Sequence, residues 1–284
     1  MTSACGSSRT ISPKSLQSWR RGLLVLGLFV GGTAAAQDAN WSVHPALTDR
    51  WSLQLGAFYP KVKTDAYLNG ARGRGTDVSF EDDLGLDDRK AMPGILGSVR
   101  LGERWKIEAE YLSIDRDNSR AVIRTINWGD FTYTAGTTVN SAFNSDIYRL
   151  SAGYSFVKNN RWEAGAVLGL HVTDFRASLS AARVGGQTGD ALAPLPTIGM
   201  YGAYAFTPRW LLSGRADYFW LNYNDYSGHL LNFNVGVDYR FLRNFGVGLG
   251  FRHIEYDLTV NKSQYNGGIN YRLNGPLLYL VGSF

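Results

Sequence analysis

Polar and apolar residues alternate with a period of two along most of this chain. Leu231, Phe233, Val235, Val237 and Tyr239 fall on one face, and Asn232, Asn234, Gly236, Asp238 and Arg240 on the other. Tyr148, Leu150, Ala152, Tyr154 and Phe156 alternate in the same way with Arg149, Ser151, Gly153 and Ser155. This is the periodicity of strands with one apolar face. A turn residue followed by Arg-Trp recurs at Asp49-Arg50-Trp51, Glu103-Arg104-Trp105, Asn160-Arg161-Trp162 and Pro208-Arg209-Trp210, with a weaker copy at Arg243-Asn244-Phe245. About ten alternating residues follow each copy. Short polar turns precede all but the first, after strands ending at Leu101, Phe156, Phe206 and Phe241, and the chain ends at Phe284.

The repeat counts strands. Rising strands start at Trp51, Trp105, Trp162, Trp210 and Phe245. Descending strands are predicted near 93–101, 139–156, 197–206, 230–240 and 269–284. Tryptophan and tyrosine rings settle at the headgroup level of a bilayer, so aromatic residues at short turns form one girdle of a transmembrane barrel. The expected fold is all-β: an antiparallel up-and-down transmembrane barrel of about ten strands with short periplasmic turns and long extracellular loops. A soluble sandwich also alternates, but gives no reason for short and long turns to alternate.

Composition agrees. No apolar run of 18 residues occurs after position 36, so any span there must be made of strands. Residues 1–36 carry Arg9, Lys14, Arg20 and Arg21, an apolar stretch from Leu23 to Val30, and Ala34-Ala35-Ala36 before Gln37. That layout predicts a cleaved signal peptide. The expected division is therefore 1–36 signal peptide, 37–50 a short periplasmic segment, and 51–284 the barrel. Removing the signal takes four of 29 basic residues and none of 24 acids, leaving 25 against 24, a net of +1. The basic balance of the full chain is then no argument for nucleic acid. The single cysteine, Cys5, leaves with the signal, so disulfides and thiolate metal sites are not expected.

The inward set contains a candidate polar network: Glu108, Glu110, Arg149, Arg215, Asp217, Asp238, Arg240 and Arg252, with Lys106, His171, Asn232 and Asn234 beside it. Barrels near eight strands are filled by their own side chains, whereas 16–18 strands leave an aqueous channel. The network is read as a salt-bridged plug, with a polar path for a small solute as the alternative. The first loop, 63–91, holds six acids in twelve residues: Asp77, Glu81, Asp82, Asp83, Asp87 and Asp88. They are candidates for a divalent cation or for cation-bridged contact with lipopolysaccharide. A solvated acidic loop is the simpler reading, and the spacing matches no calcium-loop motif. Arg72 and Arg74 are candidates to pair with these acids or with lipid phosphates. The second loop, 117–138, reads as a hairpin above the membrane. The third, 181–194, with Gly185, Gly186 and Gly189, reads as mobile.

The signal layout, the Arg-Trp strand starts and Phe284 together resemble the small Gram-negative outer-membrane barrel superfamily. It includes OmpA-like and OmpW-like proteins and the ten-stranded omptin proteases. Phe80-Glu81-Asp82-Asp83-Leu84-Gly85-Leu86 also resembles a segment of other proteobacterial barrels. The resemblance implies the outer membrane, contact with its lipid and lipopolysaccharide, assembly through Phe284 by the barrel-assembly machinery, and a monomer. It does not fix an activity. The expected function is non-enzymatic: structural or adhesive, or a narrow conduit for small or apolar solutes. The alternative is an outer-membrane enzyme with its site at the extracellular rim. Asp82-Asp83, His253 with Glu255 and Asp257, and Asp225 with His229 are the candidates for that, without an identifiable serine partner. No catalytic residue, cofactor or metal is assigned.

Overall fold

The computed structural model describes residues 41–71, 73, 75–223, 226–261 and 266–284. The proposed signal peptide, Cys5, Arg72, Arg74 and Asp225 lie outside them. Fourteen strands follow a helical turn, α1 (Pro45–Thr48): β1 (Trp51–Phe58), β2 (Lys61–Leu68), β3 (Val78–Ser79), β4 (Met92–Leu101), β5 (Trp105–Ala121), β6 (Ile126–Trp128), β7 (Phe131–Tyr133), β8 (Thr138–Lys158), β9 (Trp162–Ala181), β10 (Gly185–Ala205), β11 (Trp210–Tyr223), β12 (Tyr226–Arg240), β13 (Phe245–Asn261) and β14 (Asn266–Ser283).

Ten of these close an antiparallel barrel in the order β1-β4-β5-β8-β9-β10-β11-β12-β13-β14, with β14 returning to β1. Every rising strand starts where the Arg-Trp repeat placed it. Closure is demanded because hydrocarbon offers no partner to a free N–H or C=O. The seam pairs Ser52 with Ser283 through Phe58 with Leu277. The Trp51 and Phe284 backbones bond each other at 2.8 and 2.9 Å. Above the seam, Pro60 interrupts the strand and β2 continues along β14, pairing Lys61 with Asn274 through Leu68 with Gly267. Gly275 sits against the Tyr59–Pro60 backbone, where a Cβ would collide with the Tyr59 carbonyl.

The aromatic residues at the strand starts face outward. Trp51, Trp105, Trp162, Trp210 and Phe245 are all exposed. Four of them pack on an aromatic ring of a neighbouring strand: Trp105 on Tyr154, Trp162 on Tyr204, Trp210 on Tyr239 and Phe245 on Phe284. Three of the repeat arginines turn to protein partners. Arg104 donates to the Ser155 and Phe156 carbonyls, Arg209 stacks on Trp41, and Arg243 pairs with Asp49 at 2.7 Å.

The longer strands reverse sidedness part-way along. On β8 the outward residues are Tyr148, Leu150, Ala152, Tyr154 and Phe156 below, but Thr138, Asn140, Asn144 and Asp146 above. The inward residues change in the opposite sense, from Arg149, Ser151 and Ser155 to Val139, Phe143 and Ile147. Tyr111, Tyr148, Val172 and Pro194 are joined in register at the upper limit of the apolar band. The band on β8, residues 148–156, matches the 9–11 residues a tilted strand needs to cross. Above it the interior is packed like a soluble core.

Two expectations change. Residues 185–194 are not a mobile loop. They belong to β10 and pair with β9 from Gly185↔Ala181 onward, and Gly185 supports the tight reversal at φ 98°. Strands continue there because, above the band, they can bury an inward apolar face. The second loop does contain a hairpin, β6–β7, but it lies across the barrel mouth instead of prolonging the wall. Gly129 N–H donates to Leu68 O on one side and Tyr133 OH to Leu179 O on the other, at 2.9 Å each.

Residues 41–50 close the periplasmic end. Leu47 packs on the inward Ala205 and Leu211. Trp41 donates to Pro208 O at 2.7 Å, and the Ala46 carbonyl accepts from Arg100 at 3.2 Å. Asp49 takes Arg243 and the Ser283 hydroxyl. His44 caps α1, accepting from the Ala46 N–H, and is fully buried. Burial, then the nearby Arg240, pulls its pKa from 6.5 to about 3. The folded mouth therefore holds the neutral ring. Its stabilisation is complete above pH 6.5 and is lost as pH falls from 6.5 towards about 3. Amide exchange of Ala46 and Leu47, corrected for intrinsic rate, is expected to accelerate over that range. His44→Asn keeps a cap without the titration and is expected to flatten the dependence; an unchanged profile in that variant would refute the assignment.

Candidate functional site

The lumen is layered, and each layer follows from which strand positions point inward at that height. In the middle, Lys106, Glu108 and Glu110 on β5 face Arg149 on β8, Arg215 and Asp217 on β11, and Arg252 on β13. Glu108 takes Lys106 at 2.7 Å and Arg215. Glu110 takes Arg149 at 2.8 Å and Arg252 through two nitrogens at 2.7 and 3.0 Å. Asp217 accepts from Arg215 and from Asn232, which in turn accepts from Arg252 at 3.0 Å. Four cations meet three carboxylates, a net of +1, with every carboxylate held by at least two donors. Buried charge persists only with such compensation.

Six of the eight predicted network residues thus meet in one cluster. Asp238 and Arg240 point inward as expected but belong to the layer below. There Asp238 accepts from Tyr279 OH, and Arg240 reaches the Asn244 carbonyl at 3.4 Å. The same lower layer holds a pair missed from the sequence, Arg100 with Glu163, bidentate at 2.7 and 2.9 Å and extended through Ser155 to Tyr201. Its signal was present: Arg100 precedes the band-edge Leu101 by one position and Glu163 follows Trp162 by one, so both must face the lumen. A cavity of about 160 Å³ lies between these layers, lined by Arg100, Lys106, Glu108, Arg149, Asp238 and Arg240 among others. His171 is buried at mid-height, 4.0 Å from Asp217.

Above the charges the interior is aromatic. Phe80 from the first loop stands edge-on to Trp128 of the hairpin and to Phe143 of β8, with centroids at 5.8 and 5.4 Å. Phe143, Phe175, Tyr256 and Tyr271 continue the cluster. Such pairs add to the burial of their large surfaces.

The acidic loop is spent on this cap. Glu81 pairs with Arg116 and accepts the Thr64 N–H at 2.7 Å. Asp83 takes Arg124 at 2.6 and 2.8 Å, and that hydrogen bond, as the largest cause, lowers its pKa below the usual carboxylate value. The Asp82 side chain accepts from Ser79, and its carbonyl accepts from Arg120. Asn118 donates to the Leu84 and Gly85 carbonyls at 2.8 Å each. The loop therefore occupies the place beside upper β5 that β4, ending at Met92, leaves without a strand. Asp87 and Asp88 stay exposed, and Asp77 has partners of its own. Among the described residues no group of three or more His, Cys, Asp or Glu is placed to hold a metal ion. Two of the candidate cation ligands, Glu81 and Asp83, are instead held by arginines, Arg116 of β5 and Arg124 just beyond its end.

The candidate histidines sit on the outer wall. His253 is 3.4 Å from Glu255 and contacts Asn274, while Glu255 is held by Arg272. His229 is the register partner of Asp257. The Asp82-Asp83 pair is divided, since Asp83 is bound to Arg124.

Replacing Glu110 by Gln leaves Arg149 and Arg252 undercompensated in the lumen. A loss of about 3 kcal/mol is expected, read as a lower urea midpoint for the refolded barrel in detergent. Arg252→Met in the same chain is expected to restore part of it. A neutral Glu110→Gln would show that the charges are not tightly packed.

Comparison with known proteins agrees with this architecture. No curated protein sequence matches the chain. Among solved structures, it is similar to the outer membrane protease OmpT from Escherichia coli, with 14% identity, 87% of this chain and 99% of that chain covered, and a TM-score of 0.55. It also matches the toluene transporter TodX from Pseudomonas putida at 9% identity, covering 85% and 92%, TM-score 0.37. Ail from Yersinia pestis matches at 9% identity, covering 82% and 98%, TM-score 0.35. At such identities the likeness shows the fold alone. The Outer membrane protein beta-barrel domain matches residues 23–272, and the chain belongs to that family, resident in the outer membrane of Gram-negative bacteria.

Proposed function

We propose that this protein is a non-enzymatic, structural or adhesive outer-membrane barrel whose filled lumen gives rigidity and whose extracellular extension is the working surface. One observation carries the reading: the lumen is occupied at every level, by residues 41–50 at the periplasmic mouth, the charged network at mid-height, and the Phe80–Trp128–Phe143 cap above. The cavity of about 160 Å³ among the described residues is lined in part by ion-paired side chains, Arg100 with Glu163 and Lys106 with Glu108. A solute path would require the ion pairs and the cap to part together.

The extension supports the second half of the reading. On β8 ten residues, 138–147, stand above the apolar band. At roughly 3.3 Å per residue and the usual tilt they rise about 25 Å. Their outward side chains, Ala142 apart, are polar, and the wall beneath gives a fixed platform of the kind on which recognition surfaces are built. Of the candidate rim residues, Asp83 is bound to Arg124, Asp82 accepts from Ser79, and Glu255 is held by Arg272.

Refolded chain from Gln37 to Phe284 is expected to be silent in planar-bilayer conductance, once heat-dependent gel mobility has shown the barrel to be folded. Phe80→Ala removes the ring at the centre of the cap and is expected to cost about 3–5 kcal/mol while leaving the barrel silent, because the charged layer still fills the lumen. Discrete, reproducible steps from the unaltered barrel would overturn the sealed-lumen reading and favour a conduit.

A further inference from the structure

We infer that the outer wall at β13, β14 and β2 is a binding site for the phosphate of an acyl-chain lipid in the outer leaflet. The inference stands on the position and the charge of this wall, apart from whether the lumen is sealed.

Height comes first. On β14 the outward apolar residues end at Pro276, which pairs with Phe251 at the top of the band on β13. The next outward positions are Asn274 and Arg272, and their register partners on β2 are Lys61 and Lys63. Lys61 is bridged in turn to Arg89 of the first loop. Two rows of cations therefore begin one step above the hydrocarbon face, at the level of lipid headgroups. Lys61, Lys63 and Arg89 are exposed, and Arg272 is partly so.

Charge comes second. Lys63 lies directly opposite Arg272, and Lys61 directly opposite Arg89. Like charges facing each other across an antiparallel pair are destabilising. Two acids relieve this in part: Asp65 is 3.6 Å from Lys63, and Glu255 is 2.5 Å from Arg272. Asp87 and Asp88 precede Arg89 in the chain and face solvent. Lys61 and Arg89 have no ion-pair partner among those described. A phosphate bridging the rows would offset both repulsions at once.

The rest of the wall provides contrast. At the corresponding height on β5, β8 and β9 the outward residues joined in register are Ser113, Asp146 and Asp174. Asp174 there is paired with Arg176 at 2.7 Å and Asp146 accepts from Tyr111, so that arc carries no excess of cations, whereas on the basic one each cation near an anionic surface adds to binding. The acyl chains would lie on the apolar residues directly below, so a lipid satisfies both halves of the site and free phosphate only one.

The full refolded chain in detergent is to be incubated with lipid A and, separately, with the same glycolipid stripped of phosphate, and bound lipid counted by native mass spectrometry. The phosphorylated lipid is expected to be retained at least about tenfold more tightly. The triple variant Lys61→Gln, Lys63→Gln and Arg272→Gln is expected to lose on the order of a hundredfold in affinity, whereas Asp174→Asn on the opposite arc is expected to retain it. Should the triple variant fail the gel-mobility test of folding, Lys61→Gln alone is expected to lose about fivefold. Equal retention by folded variants, or equal binding of the phosphate-free glycolipid, would overturn the site. Displacement of the lipid by inorganic phosphate at a similar concentration would overturn the lipid assignment in favour of a free-phosphate site.

Discussion

A polypeptide in hydrocarbon must satisfy each backbone N–H and C=O from within itself, and the architecture here follows from that demand. It forces closure of the sheet, and closure at ten strands creates a narrow interior lined by the strands' own side chains. Side chains must fill it. Because the outer face is committed to lipid, the polar residues of each strand are driven inward, and the charges then need one another. Glu108, Glu110 and Asp217 among Lys106, Arg149, Arg215 and Arg252 are what results when carboxylates and cations are confined together in a narrow interior.

The demand ends where the membrane ends, and the strands do not. Beyond Tyr111, Tyr148 and Val172 the exterior meets water and the interior can be apolar. One barrel thus contains two inverted halves: a lower one with lipid outside and ions inside, and an upper one with water outside and Phe80, Trp128, Phe143, Phe175 and Tyr271 inside. The first loop and the β6–β7 hairpin are drawn into the upper half because their apolar residues find a core there. Glu81 and Asp83 of the loop follow, held by Arg116 of β5 and by Arg124 just beyond it.

Much of this was legible before any coordinates. The Arg-Trp repeat located each rising strand, since the girdle imposes the same chemistry at every periplasmic turn. The inward charges followed from counting by two. The upper half was less legible for a physical reason: alternation has the same period whichever face is buried, so it does not show where the faces exchange roles. Residues 185–194 read as a loop because glycines and small residues usually mark one, yet pairing with β9 keeps them extended. The fate of Glu81 and Asp83 depended on Arg116 and Arg124, more than thirty residues away. Arg100 and Glu163 were recoverable from their places beside Leu101 and Trp162.

The latch at Asp49 has a bearing on how the molecule is made. Asp49 stands just before the first barrel strand, while its partners Arg243 and Ser283 come from the last turn and the last residues of the chain. These groups can meet only after both ends of the chain have been brought together and the circle completed, the step with the longest loop to close. The small N-terminal plug is therefore a record of history as well as a stopper: it can be seated in a finished cylinder and in no earlier intermediate.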